Sequence, residues 1–252
     1  MAQHIGLEIC VDSPQGLLDA VAAGADRIEL CSSLALSGVT PSRAFMRLAA
    51  STGCAIYAMI RPHTGPYDYS ARDLDVMRWE IDAAREAGLS GVVFGANHPT
   101  GELNAEVLAG LMAHCDGLGV TLHRAFDLTP DLPVALETAI SLGFERVLTS
   151  GGARTAPEGV ETIAGLVQQA RGRISLMPGS GITPATVEAV VRRTGASEVH
   201  GSCGRRVDEQ RLVGDRFEHA VRLGFITLDA RETDGAAVAE VVSILKRIAA
   251  GV

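Results

Sequence analysis

LEICVDSPQGLLDAVAAGADRIELC (residues 7–31) holds one full unit of the fold and the start of the next. LEICV (7–11) is a short apolar run suited to a buried strand. Ser13-Pro14 then sets a capping hydroxyl before a proline at the first helical position. LLDAVAA (17–23) is amphipathic, Gly24 supplies the left-handed residue that ends a helix, and RIEL (27–30) opens the next strand. The pattern recurs: Gly24, Gly53, Gly88, Gly117, Gly143, Gly172 and Gly195 lie 23 to 35 residues apart, the length of a βα unit. The further strands read AIYAMI (55–60), GVVFG (91–95), VTLH (120–123), RVLTS (146–150), ISLM (174–177) and EVH (198–200). Eight such units predict an α/β fold, a single (β/α)8 TIM barrel over residues 1–252, whose chemistry sits at the carboxyl ends of the strands.

Composition agrees. Apolar residues make up 47% of the chain and aromatics 4%, which suits a barrel packed with aliphatic side chains. A net charge of −8 argues against nonspecific nucleic-acid binding and against an acidic membrane face, both of which need basic patches. No run approaches the roughly 20 apolar residues of a membrane span, and the first residues lack the pattern of a signal peptide. The five cysteines are odd in number and lack CxxC spacing, so reduced thiols in the cytoplasm are expected. Cys54 and Cys115 fall near helix ends and read as structural. Thr40-Pro41 and Thr183-Pro184 repeat the helix-start signal. Two stretches break the rhythm: the loop RPHTGPYDYS (61–70), and a charged insertion (204–234) that carries a strand-like FITL (225–228) before the last helix, GAAVAEVVSILKRIAA.

Alternation in a strand puts residues two apart on one face. Glu8 and Cys10 share a face in strand one, and Glu29 and Cys31 in strand two, so adjacent strands are expected to show Glu-x-Cys pairs at matched heights. A carboxylate inside an apolar strand is costly without a partner. Arg61, His123, Arg124, Asp127 and His200 follow at other strand ends. Glu8, Glu29, Arg61, His123, Asp127 and His200 together offer an acid, a base and an anion clamp. Taken singly, each could belong to a buried ion-pair network plugging the barrel; their gathering at one end favours a site. TSGG (149–152), MPGSGIT (177–183) and HGSC (200–203) are small-residue strand ends. There Ser150, Gly151, Gly179, Gly181, Gly201 and Ser202 could aim backbone amides at a phosphate or carboxylate. Cys10 and Cys31, with neighbouring thiols and histidines, are candidate ligands of Cu(I). No G-x-S-x-G elbow, P-loop or dinucleotide fingerprint is present, so no nucleotide cofactor is expected.

These residues lie in motifs that resemble the CutC family, long labelled copper homeostasis proteins. They are LEIC (7–10), AGADRIELC (23–31), SGVTPS (37–42), MIRP (59–62), GVVFG (91–95), TLHRAFD (121–127), RVLTSGG (146–152), MPGSGI (177–182), EVHGSC (198–203) and DGAAVAE (234–240). The resemblance implies a cytoplasmic barrel that forms a homo-oligomer, dimer or tetramer. It also implies a role in copper handling, with Cu(I) bound by cysteine in some members. The matching polar positions are Glu8, Cys10, Glu29, Cys31, Arg61, His123, Arg124, Asp127, Thr149, Ser150 and His200. The chain departs from the family's Arg-Gly-Gly-Asp-Phe-like run at His63-Thr64-Gly65-Pro66-Tyr67. Two functions follow: copper homeostasis with Cu(I) as the ligand, or a lyase or isomerase acting on a small anionic or phosphorylated metabolite.

Overall fold

A computed structural model describes residues 4–207, 216–225 and 231–251. Eight parallel strands are present: β1 (Gly6–Val11), β2 (Arg27–Leu30), β3 (Ala55–Met59), β4 (Gly91–Phe94), β5 (Gly119–Leu122), β6 (Arg146–Thr149), β7 (Ser175–Pro178) and β8 (Glu198–Gly201). Helices follow them: α1 (Pro14–Ala22), α2 (Arg43–Ala50), α3 (Ala71–Glu86), α4 (Ala105–His114), α5 (Leu132–Leu142), α6 (Val160–Ala170) and α7 (Val187–Thr194). The hydrogen-bonded order is β7-β6-β5-β4-β3-β2-β1-β8. β7 and β8 lie side by side, so the sheet nearly closes.

Each strand sends alternate apolar residues outward against the helices. Leu7, Ile9 and Val11, then Ile28 and Leu30, then Ile56 and Ala58 join Leu17, Ala20, Met46 and Met77 in one buried core. Each large aliphatic side chain buried this way contributes about 1.5–3 kcal/mol. All seven helix-ending glycines adopt positive φ. Gly143, at φ 85°, lets its amide bond back to Ala139 and Ile140 before the chain turns into β6.

Two helix starts differ from the expectation. α2 begins at Arg43 under a cap from Ser42, whose hydroxyl accepts the Phe45 amide. Thr40 is drawn elsewhere: its hydroxyl accepts the Arg61 amide at 2.9 Å and donates to Glu80. After Thr183-Pro184 the chain makes one turn, and the α-helix begins only at Val187. There the Thr186 hydroxyl accepts the Thr183 amide at 2.9 Å.

Beyond β8, β9 (Gly204–Arg206) pairs antiparallel with β10 (Arg231–Thr233), α8 (Arg216–Arg222) lies between them, and α9 (Gly235–Ala249) ends the fold. Thr233 packs so close to α1 that a Cβ at Gly16 would sit 2.6 Å from its hydroxyl. The FITL strand expected at 225–228 falls outside the described residues after Phe225. Among the described residues no helix is long and apolar enough to cross a membrane.

Candidate active site

The polar alternates of the strands point to the barrel axis and form two zones. In the lower one, β1–β2 and β1–β8 register sets Glu8 opposite both Arg27 and His200. Arg27 donates to Glu8, to Glu198 and to the Met177 sulfur. Its guanidinium lies 5.4 Å from the Tyr57 ring centroid and that of Arg146 4.9 Å, so two cations flank one ring. Arg146 is paired in turn with Glu198 and Glu145, and the Tyr57 hydroxyl donates to Glu145 at 2.8 Å. A Cβ at Gly91 or Gly119 would lie 2.3 or 2.1 Å from Tyr57, which is why those strands carry glycine on the axis. Burial alone would raise the Glu8 carboxyl; the Arg27 charge and the His200 hydrogen bond override it and hold Glu8 at about 2.

The upper zone lies at the carboxyl ends of the strands. Register pairs Cys10 with Glu29, so the two glutamates are staggered by two residues and not at matched heights as expected. Parallel strands in a barrel are sheared against one another, and motif alignment along the chain does not report that shear. His200 Nδ1 bonds Glu8 Oε1 at 2.8 Å, and its Nε2 stands 3.8 Å from Glu29 Oε2. Burial opposes a charge on His200, but Cys10, Glu29 and Glu8 outweigh it and raise its pKa well above the usual histidine value. Glu29 is 3% exposed. Its Oε2 accepts the Cys31 thiol at 3.6 Å, while its Oε1 has no partner. Burial, aided by the Glu8 charge and resisted by His200, pushes Glu29 up to about 6.

One ligand atom each from Cys10, Glu29 and His200 lies within 4.8 Å of the others. Cys31 falls outside that group, one strand step above Cys10. A Cβ at Gly38 would touch its sulfur at 3.1 Å, and burial and the Glu29 charge push its thiol well up.

Arg61 and His123 occupy the β3–β5 side of the mouth, 5% and 3% exposed. Arg61 Nη1 donates to the carbonyls of Leu36 and Gly38, and Nη2 to that of Gly65, tying the two loops after β2 and β3 together. Its Nε has no partner. The Tyr67 ring lies 4.5 Å from the His123 ring and 5.0 Å from the Arg61 guanidinium. A Cβ at Gly95 would meet His123 at 2.7 Å. Burial, with the Arg61 charge, lowers His123 to about 3.

Asp127 sits apart from both zones. Its carboxylate accepts the amides of Ser150 and Gly152, the hydroxyls of Thr149 and Ser150, and Arg124 Nε. The amide nest after β6 therefore holds the protein's own carboxylate. The Gly151 and Gly179 amides are spent on Thr149. Gly179 lies beside the His200 ring, where a Cβ would be 3.4 Å away. Gly181 turns over Thr155, Gly201 ends β8 with its carbonyl accepting the Cys10 thiol at 3.8 Å, and Ser202 is exposed.

A family model of the CutC family matches residues 5–205, which covers all eight barrel strands. The chain belongs to the CutC family. A "family protein CutC" of Rhizobium meliloti (strain 1021) is 52% identical over 237 residues, 93% of this chain and 94% of that one. A human protein named copper homeostasis protein cutC homolog is 45% identical over 197 residues, 78% of this chain and 72% of that one. A solved CutC structure from Streptococcus agalactiae superposes with a TM-score of 0.75 at 30% identity, covering 79% of this chain and 98% of that one. Phosphoribosyl anthranilate isomerase of Thermotoga maritima shares the fold alone, with a TM-score of 0.55 at 13% identity over 96% and 99% of the chains.

In this CutC chain the mouth gathers Glu29, His200 and Cys10 on one side and Arg61 and His123 on the other, with Glu8 beneath. The sequence reading missed Arg27, Tyr57, Arg146, Glu198 and Tyr67. Parity carried a usable signal: Arg27-x-Glu29-x-Cys31 and Glu198-x-His200 continue the axis-facing series one step down each strand.

Proposed function

We propose that the carboxyl-terminal mouth is an acid–base active site that moves a proton on a small anionic metabolite, as a lyase or isomerase does. Glu29 carries this reading. It is fully enclosed, one of its oxygens is unpartnered, and its pKa of about 6 stands close to working pH. A buried carboxylate oxygen left without a hydrogen bond is expensive, and sites that keep such a group use it. Glu29 accepts a proton from carbon next to a carbonyl or carboxylate and returns it at a neighbouring atom. His200, kept cationic and oriented by Glu8 at 2.8 Å, balances the charge that Glu29 gains and loses. The test is incubation in D2O with a panel of small phosphorylated and carboxylate-bearing carbonyl compounds, read by loss of C–H signals in proton NMR. Exchange by the native protein that disappears in Glu29→Gln supports the reading. Exchange that survives the substitution, or none with any compound, contradicts it.

A second reading is favoured by the Cys10–Glu29–His200 group. The name of the human relative points to copper. A thiolate and an imidazole suit Cu(I), and a carboxylate behind the other ring nitrogen is how ligating histidines are oriented. Cys10 and His200 would hold the ion, with Glu29 as a weaker third donor. Reduced protein is titrated with Cu(I) against a competing chelator: Cys10→Ser abolishes binding and Cys31→Ser leaves most of it. Equal loss from both would favour the thiol pair instead. All five cysteines are free, which fits a reducing cytoplasm. The dimer or tetramer that the family resemblance implies is read by sedimentation.

A further inference from the structure

Anion binding was expected at the glycine-rich strand ends, yet the nest after β6 is filled by Asp127. The unused donors lie elsewhere. His123 Nδ1 accepts the Ala125 amide at 3.1 Å, so that nitrogen carries no proton. Burial and the Arg61 charge keep the ring neutral, which leaves its one proton on Nε2. His123 Nε2 is therefore a buried N–H donor without a partner, and Arg61 Nε is another. Both side chains pack on the Tyr67 ring, within 5.0 Å of its centroid. In the strand order β5 stands opposite β1, so the end of β5 that leads into His123 lies across the barrel from the β1 end that carries Cys10. Two orphaned donors beside a fixed positive charge call for an acceptor with negative charge.

We propose that His123 and Arg61 form a donor pair that holds a planar oxyanion of the ligand, a carboxylate or an enolate oxygen. The ligand class follows: a small carboxylate or α-keto acid whose reacting carbon then lies between this pair and Glu29. The fate of that carbon rests on the acid–base reading of Glu29, whereas the binding does not. His123 acts as a neutral hydrogen-bond donor and transfers no proton. A neutral imidazole gives up little in matching an oxyanion that itself forms and disappears.

The experiment uses full-length protein labelled with 15N-histidine and oxalate as the planar probe, with inorganic phosphate as the tetrahedral comparison. The free protein should show His123 as the neutral Nε2–H tautomer from pH 5 to 8. Oxalate should move that N–H resonance downfield more than phosphate does. His123→Leu should weaken oxalate by roughly tenfold or more, as loss of a hydrogen bond to a charged group does. His123→Gln, which keeps an N–H at similar reach, should restore most of the affinity, a rescue that mere packing would not give. Arg61 stays intact because it ties two loops. Glu29→Gln should still bind oxalate, which separates failure of proton transfer from failure of this site. An imidazolium or Nδ1–H tautomer overturns the proposal. So does oxalate binding indifferent to His123→Leu, or no oxalate binding at all, in which case the donors hold only water.

Discussion

The lower and upper zones of the barrel interior are both built from buried charges, yet they keep different accounts. Below, Arg27, Arg146, Glu8 and Glu198 are each paired with an opposite charge, and Tyr57 stacks between the two cations. Above, Glu29 Oε1, His123 Nε2 and Arg61 Nε have no hydrogen-bond partner, although Glu29 Oε2 stands 3.8 Å from His200. The paired zone is a plug: its charges answer one another and ask nothing of a ligand. The unpaired zone lies where strands end and loops begin, and its vacant valences are what a ligand would fill. Glu8 belongs to both, since it takes Arg27 from below and steers His200 above.

If that division holds, mutation below should cost stability and mutation above should cost function. Arg27→Met should have the largest effect, destabilising by about 3–5 kcal/mol in a denaturant titration, because Glu8 and Glu198 each lose one of two counter-charges and keep only His200 and Arg146. A cost below ~1 kcal/mol would break the comparison. Gly119→Ala should cost about 1–3 kcal/mol by the same measurement, since the new methyl would collide with Tyr57. Asp127→Asn should cost about 1–3 kcal/mol, as the amide cannot accept every donor now served by the carboxylate.

The smallest effect on stability belongs to Glu29→Gln, and its pH dependence sharpens the contrast. Glu29 has a folded pKa of about 6, above its ordinary value of 4.5, so the folded state holds its proton more tightly than the unfolded chain. Its stabilising contribution is present below about 4.5 and is lost as pH rises through 6. Stability of the native protein relative to Glu29→Gln should therefore fall across that window and level off above it. Glu8 has the opposite sign. Held at about 2, it stabilises above the ordinary carboxylate value, and that contribution is lost as pH falls toward 2. Parallel stability curves for native protein and Glu29→Gln from pH 4 to 8 would contradict the assignment.

The barrel was legible because local signals repeat. Gly24 and its six counterparts, the Ser13-Pro14 cap and eight apolar runs each report a nearby constraint, and together they count the strands. Parity also put Glu8 with Cys10 and Glu29 with Cys31 on one face of each strand, and strand-end position marked His200. What could not be read was stagger. Cys10 meets Glu29, and Cys31 lies a step above, because register depends on barrel shear and not on motif order. Asp127 is expected in the acid–base set from its place at the end of strand five, with His123. Its carboxylate is instead captured by amides of the next strand end, a long-range contact with no local signature. Arg61 looked like a substrate clamp, but its terminal nitrogens reach carbonyls of two loops and leave only Nε.

The most direct test of the account is a carbon-13 NMR titration of the Glu29 carboxyl, assigned through Glu29→Gln, with nitrogen-15 detection of His200 in the same samples. The account requires Glu29 to titrate near 6 while His200 stays an imidazolium bonded to Glu8 throughout. Glu29 titrating with the ordinary carboxylates, beside a neutral His200, would mean that the mouth holds no poised acid–base pair.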